Sequence, residues 1–254
     1  MKTIRTWLCA SALALAVGGA QAAPVSFGTV NYVTSTLTIA GSDIQSDDDD
    51  SGASALPFAS TSSSADADAS ANATAGASSG SVSAQAGATG GTGLDASATA
   101  SSSFTGLFTG PGGLLRLIVD VVTGASATGD SSGDGLVRVT LTAGADTLVD
   151  EIVRQTMQYT ALLNLGAGTL GSLTVEAIGT AAAQPLDPGV PGGGANVSGG
   201  SAQASFALNQ VPEPGTWALL IASLLVMFLS SPPVSGWHGS VVARSSRRSA
   251  ARCA

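Results

Sequence analysis

Apolar and polar residues alternate with a period of two along most of this chain, the pattern of strands that bury one face. Ser26 to Ala40, with Val30, Tyr32, Val33, Leu37 and Ile39, predicts a first strand. The strongest core is expected from four later runs: Leu115, Leu117, Val119 and Val121; Val137, Val139 and Leu141; Met157, Tyr159, Ala161, Leu163 and Leu165; Leu173, Val175 and Ala177. Ala204, Phe206 and Leu208 predict a last strand.

Residues 65–103 carry a paler form of the same pattern. Every odd position from Ala65 to Ala75 is alanine; after Ser78-Ser79-Gly80 the small apolar residues move to the even positions Val82, Ala84, Ala86 and Ala88; a second turn, Gly90 to Gly93, leads into Leu94 to Phe108. Low complexity is the competing reading. A two-residue repeat would smear alanine around a helix without forming a stripe, so order here means strands. Alanine faces bury little area, and these strands are expected to be the least stable.

Three stretches interrupt the alternation. Gly41 to Ser54, part of an acidic and serine-rich segment at 41–64, is expected to be a polar loop, because Asp43 and the run Asp47 to Asp50 repel one another toward solvent. Asp146 to Thr156 sets Leu148, Val149, Ile152 and Val153 at helical spacing with Asp146 as an N-cap, which fits a short helix or a bulged strand. Gln184 to Gly200 reads as a Pro/Gly-rich loop. Eight or so strands with scarcely any helix predict a mainly β fold, an antiparallel sandwich or jelly roll.

The two ends differ from this body. Residues 1–22 have the parts of a secretory signal peptide: Lys2 and Arg5, an apolar stretch from Trp7 to Val17, and the small-residue site Ala20-Gln21-Ala22, with cleavage expected after Ala22. Residues 211–254 begin with Val211-Pro212-Glu213-Pro214, continue into an apolar helix expected at 216–229, and carry Arg244, Arg247, Arg248 and Arg252 near the end. A helix of that length spans roughly 21 Å at about 1.5 Å per residue, short against a hydrocarbon core of about 30 Å. The arginines would stay on the cytoplasmic side and leave the body outside.

This tripartite tail resembles the PEP-CTERM sorting signal of exported bacterial proteins, in which a Pro-Glu-Pro motif, a hydrophobic helix and a basic end are recognised by exosortase, a membrane protease-transpeptidase. The resemblance covers about the last sixth of the chain. It implies passage through the inner membrane to the cell surface, the outer envelope or the extracellular space, and association with exopolysaccharide and biofilm. In the family the basic residues follow the helix directly, whereas here Ser230 to Ala243 intervene, with Pro232-Pro233 among them.

Setting both ends aside sharpens the chemistry. Residues 23–210 contain no cysteine, lysine, histidine or tryptophan, and 16 acidic residues stand against Arg116, Arg138 and Arg154 alone, a net charge of −13 where the whole chain carries −8. Disulfides therefore do not hold the exported body together, and nucleic acid is not a fitting partner for it. A Ser-His-Asp triad, a Cys-His pair and a Schiff-base lysine each lack a member, so the body is expected to be non-enzymatic. Gly76-Ala77-Ser78-Ser79-Gly80 matches Gly-x-Ser-x-Gly in letters only. No organic cofactor is implied. Calcium is the one ion the residues suggest: Asp130, Ser132 and Asp134, followed by Gly135, approximate the start of a calcium loop, although Leu141 stands where its last acidic ligand would be and a hairpin turn explains the segment as well. A carbohydrate-binding sandwich is the other alternative, weakened by a body whose aromatic residues are two tyrosines and five phenylalanines, several on core faces.

Overall fold

A computed structural model describes residues 22–52, 58–187, 189, 195–211, 221 and 224. The body is mainly β, with strands β1 (Ala23–Pro24), β2 (Thr29–Ala40), β3 (Asp43–Gly52), β4 (Phe58–Asp66), β5 (Ala69–Ser78), β6 (Ser81–Thr89), β7 (Ala96–Thr109), β8 (Gly113–Thr128), β9 (Ser131–Ala143), β10 (Asp146–Val153), β11 (Met157–Leu165), β12 (Leu170–Ala183) and β13 (Val197–Gln210). They form two antiparallel sheets packed face to face. One runs β11-β8-β13-β6-β5-β4 with β1 added against β13, and the other runs β10-β9-β12-β7-β2-β3.

The expected alternation is the observed one wherever a strand lies inside a sheet. Leu115, Leu117, Val119 and Val121 are buried on β8, as are Val137, Val139 and Leu141 on β9 and Leu173, Val175 and Ala177 on β12. The alanine-rich segment is ordered into strands, with Ala69, Ala71, Ala73, Ala75 and Ala77 buried on β5 and Val82, Ala84, Ala86 and Ala88 on β6. Its first part is divided differently from the expectation. A turn at Ala67 (φ 51) separates Ala65, exposed on β4, from Ala69 on β5, and the buried positions of β4 are Ser60 and Ser64.

Large and small core residues are segregated along the strands. On β7 the buried series runs Ala96, Ala98, Ala100, Ser102, Phe104, Phe108; on β12 it runs back from Ala183, Ala181 and Ala177 to Val175 and Leu173. β13 ends with Phe206 and Leu208 but begins with Ser198 and Gly200. The core is a wedge. At its thick end, Phe104 lies 4.7 Å from Phe206, 5.3 Å from Phe27 and 5.6 Å from Tyr32, ring centre to ring centre. At its thin end the sheets approach so closely that a methyl added at Gly200 would fall on the carbonyl oxygens of Asp134 and Thr180, and one at Gly135 on that of Ser201. The thick end, where β13 finishes, is called the exit pole below; the other is the far pole.

Of the three expected interruptions, two are corrected and one is decided between its alternatives. Gly41 to Ser54 is not a loop: β3 occupies most of it as the edge strand paired with β2. Two of its aspartates find donors on the facing edge of the other sheet. Asp47 Oδ2 accepts from the Thr61 amide (2.9 Å) and Asp43 Oδ2 from the Ala65 amide (3.0 Å), so β3 side chains cover the free edge of β4. Thr34 and Ser60 add a hydroxyl–hydroxyl bond of 2.7 Å between the same sheets. Of the two readings of Asp146 to Thr156, the bulged strand is right: β10 slips register between Thr147 and Val149, which brings Val149 and Val153 to the buried face. The loop expected from Gln184 to Gly200 ends earlier, because Val197 already pairs with both Thr89 and Thr128.

Candidate functional site

The candidate site is the place where the chain leaves the body. β13 is a central strand, paired with β8 along its whole length and with β6 as far as Ser205. Beyond Ser205 the space next to β13 is taken by the start of the body. Ala23 pairs with Gln210 and Pro24 with Asn209, and the Val25 amide donates to the Leu208 carbonyl (2.9 Å). The Val211 amide then donates to the Leu114 carbonyl (2.8 Å), so the sheet holds the chain up to the first residue of the candidate sorting motif.

Ala22 is exposed and immediately precedes β1. Ala20, Pro212, Glu213, Pro214, Arg244, Arg247, Arg248 and Arg252 lie outside the described residues, as does most of the helix expected at 216–229; among the described residues no helix is long and apolar enough to cross a membrane. Sequence reasoning expected a processing point near each end but missed that the strands beside them, β1 and the end of β13, are neighbours. A two-residue strand has no period to detect.

Around this junction lies a groove of about 510 Å³, lined among others by Pro24, Phe27, Leu107, Pro111, Leu170 and Gln210. Phe27 forms its floor against Phe104 and Phe108, with ring planes at 77° and 87° in edge-to-face arrangements. Burial among such groups raises the Tyr32 hydroxyl pKa above its ordinary value. With Phe104, Phe108 and Phe206 buried and Phe27 and Phe58 packed against the same core, the body's phenylalanines serve packing and form no exposed platform for a sugar ring.

The calcium candidates are not gathered round a point. Asp130 sits in the turn that carries the chain from β8 in one sheet to β9 in the other, and Ser132 and Asp134 lie in β9 itself. Extended chain separates Asp130 from Asp134 by roughly 13 Å at about 3.3 Å per residue. The Asp130 amide bonds the Asn196 side chain (3.0 Å), and the Asp134 carboxylate forms an ion pair with Arg154. The hairpin alternative fails too, since β8 and β9 belong to different sheets. Among the described residues no three His, Cys, Asp or Glu side chains are grouped as metal ligands. Gly76 to Gly80 closes the β5–β6 turn, where the Ser78 and Ser81 hydroxyls bond each other at 2.7 Å.

Two far-pole carboxylates are tied into the fold. Asp66 accepts from the backbone and hydroxyl of Ser42, and these bonds lower its pKa below the usual carboxylate value; Asp68 is lowered likewise by the hydroxyl and backbone of Thr92. Each clips a turn to a neighbouring strand connection.

No family model matches the chain, and no curated protein matches it. Among solved structures it is similar over 43% of its length to a GH31 alpha-xylosidase from Xanthomonas citri, at 14% identity and a TM-score of 0.21. The matched region spans 12% of that enzyme's length, and a likeness so slight carries no argument about fold or activity.

Proposed function

We propose that this is an exported, non-enzymatic protein of the cell surface or extracellular matrix, sorted by an exosortase-like membrane transpeptidase that reads Val211-Pro212-Glu213-Pro214 and linked in its final setting to exopolysaccharide or biofilm. One observation supports the reading: the sheet carries the chain as far as Val211, the first residue of the motif, whose amide donates to the Leu114 carbonyl. A processing enzyme needs an extended, accessible substrate, and the two prolines that follow cannot donate to a ladder. The signal peptide at 1–22 and the helix at 216–229 hold the precursor in the membrane, and removing both leaves the two-sheet body.

Intact mass of the exported protein tests this. A product beginning at Ala23 and ending at Pro212 to Pro214, with or without an added group, is expected. A mature product that keeps Arg252 overturns it.

A further inference from the structure

We infer that β11 is a docking edge for a second copy of this chain, the two strands pairing antiparallel about a two-fold axis at Ala161 so that their sheets run on as one. The inference goes beyond the sorting proposal and does not rest on it.

A bare strand edge invites another strand, and proteins guard such edges with charge, bulges or a cover. Three of the four sheet edges here are guarded. β3 carries Asp43 and the run Asp47 to Asp50, the edge of β4 lies under the Asp43 and Asp47 carboxylates, and β10 has its register slip together with Asp146, Asp150 and Glu151. β11 differs: Met157-Gln158-Tyr159-Thr160-Ala161-Leu162-Leu163-Asn164-Leu165 holds no charge and no proline, and its register with β8 is unbroken. Among the described residues it pairs with β8 alone. Its inner face is left part-covered, with Met157 48% exposed and Tyr159, Ala161 and Leu163 half-buried, and on its outer face Leu162 is 63% exposed.

The order of residues along the strand selects the occupant. Antiparallel pairing about Ala161 sets Met157 against the partner's Leu165 and Tyr159 against the partner's Leu163 on the inner face, and Gln158 against the partner's Asn164 on the outer face, so apolar meets apolar and amide meets amide. Charge selects the same occupant. A body of net charge −13 over residues 23–210 can approach its own copy only where it is neutral, and β11 is neutral along its whole length. The carboxylate beside it, Asp120, accepts from the Gln158 side chain (2.6 Å). A basic partner would be drawn instead to the aspartates of β3. A pair of 9-residue strands supplies roughly nine main-chain bonds, close to the about ten direct bonds of a typical stable interface.

The test uses the full-length chain with Cys9→Ser and Cys253→Ser in mild detergent, carrying Ala161→Cys, Gln158→Cys, or Gln158→Cys together with Asn164→Cys. Mild oxidation should link the Ala161→Cys chains into a covalent dimer, with a yield that rises as added salt screens the repulsion between two acidic bodies. Gln158→Cys alone should stay monomeric, because six residues of offset put its counterpart roughly 20 Å away along the strands at about 3.3 Å per residue, and adding Asn164→Cys should restore linking. Leu162→Asp, introduced beside Ala161→Cys at an exposed position, should cut the yield several-fold without changing the melting temperature. A chain that stays monomeric with Ala161→Cys at every salt concentration overturns the proposal. So does linking through Gln158→Cys alone that matches linking at 161, the sign of random collision, and so does a yield that falls as salt is added.

Discussion

At the exit pole the two sheets are held apart by leucine, valine and phenylalanine; at the far pole they close until backbone meets backbone. Both halves exclude water, but by different means. The thick half buries large apolar side chains, the usual source of stability at about 25 cal/mol per Å². The thin half has little side-chain area to bury and relies on close contact between main chains, where many small dispersion terms add up. Space is therefore the limiting quantity at one end and volume at the other. The halves should fail in opposite ways when a side chain changes size.

The largest effect is expected from adding volume to the thin half. Gly200→Val would drive its side chain into the Asp134 and Thr180 carbonyls, which are backbone and cannot swing aside. We expect a loss of about 5 kcal/mol or more, in the exceptional range for a single substitution, enough to leave little folded protein and seen as a collapsed melting temperature in thermal unfolding. Tolerance of this valine would show that the sheets can separate and would break the comparison. Removing volume from the thick half comes next. Phe104→Ala, which empties the centre of the ring cluster, should cost about 3–5 kcal/mol by chemical denaturation while leaving a protein that still folds in part.

The smallest effect concerns the turns that clip the far pole together. Because the folded pKa values of Asp66 and Asp68 are lowered, their bonds to Ser42 and Thr92 stabilise the fold fully above the unfolded carboxylate range near about 3.9 and are lost as pH falls through the folded values. The double variant Asp66→Asn with Asp68→Asn should melt below the parent at neutral pH, and the two curves should converge at the acid end. A gap that stays unchanged down to the acid end of the titration would mean that the carboxylate charge is not what matters.

Much of this architecture was readable in the residues because period-two burial leaves a direct trace. Leu115 to Val121 and Val137 to Leu141 follow it without exception at their odd positions, and even the alanines of β5 and β6 do. What escaped was anything that depends on a partner distant in the chain. Nothing local tells Asp43 and Asp47 that the amides of Ala65 and Thr61 will be there to receive them, so a run of like charges looks like a loop. Edge strands also blur the pattern: Met157 occupies an inward position on β11 opposite Val121 yet stays 48% exposed, because no strand lies beyond it. The candidate site was half legible. The two expected processing points were read from local residues, while the pairing of the strands beside them joins Ala23 and Pro24 to residues nearly the whole body away.

Were the protein held by its last strand, the central position of β13 would have a mechanical meaning. Sheet hydrogen bonds lie across the strand direction, so a pull along β13 from Val211 loads its ladders to β8 and β6 together, in shear. A tether pulling along an edge strand would load a single ladder. Flow or traction acting on a body anchored through this strand would thus be shared by both of its neighbours before any single bond gave way, a load path suited to a component fixed at one end in a moving medium.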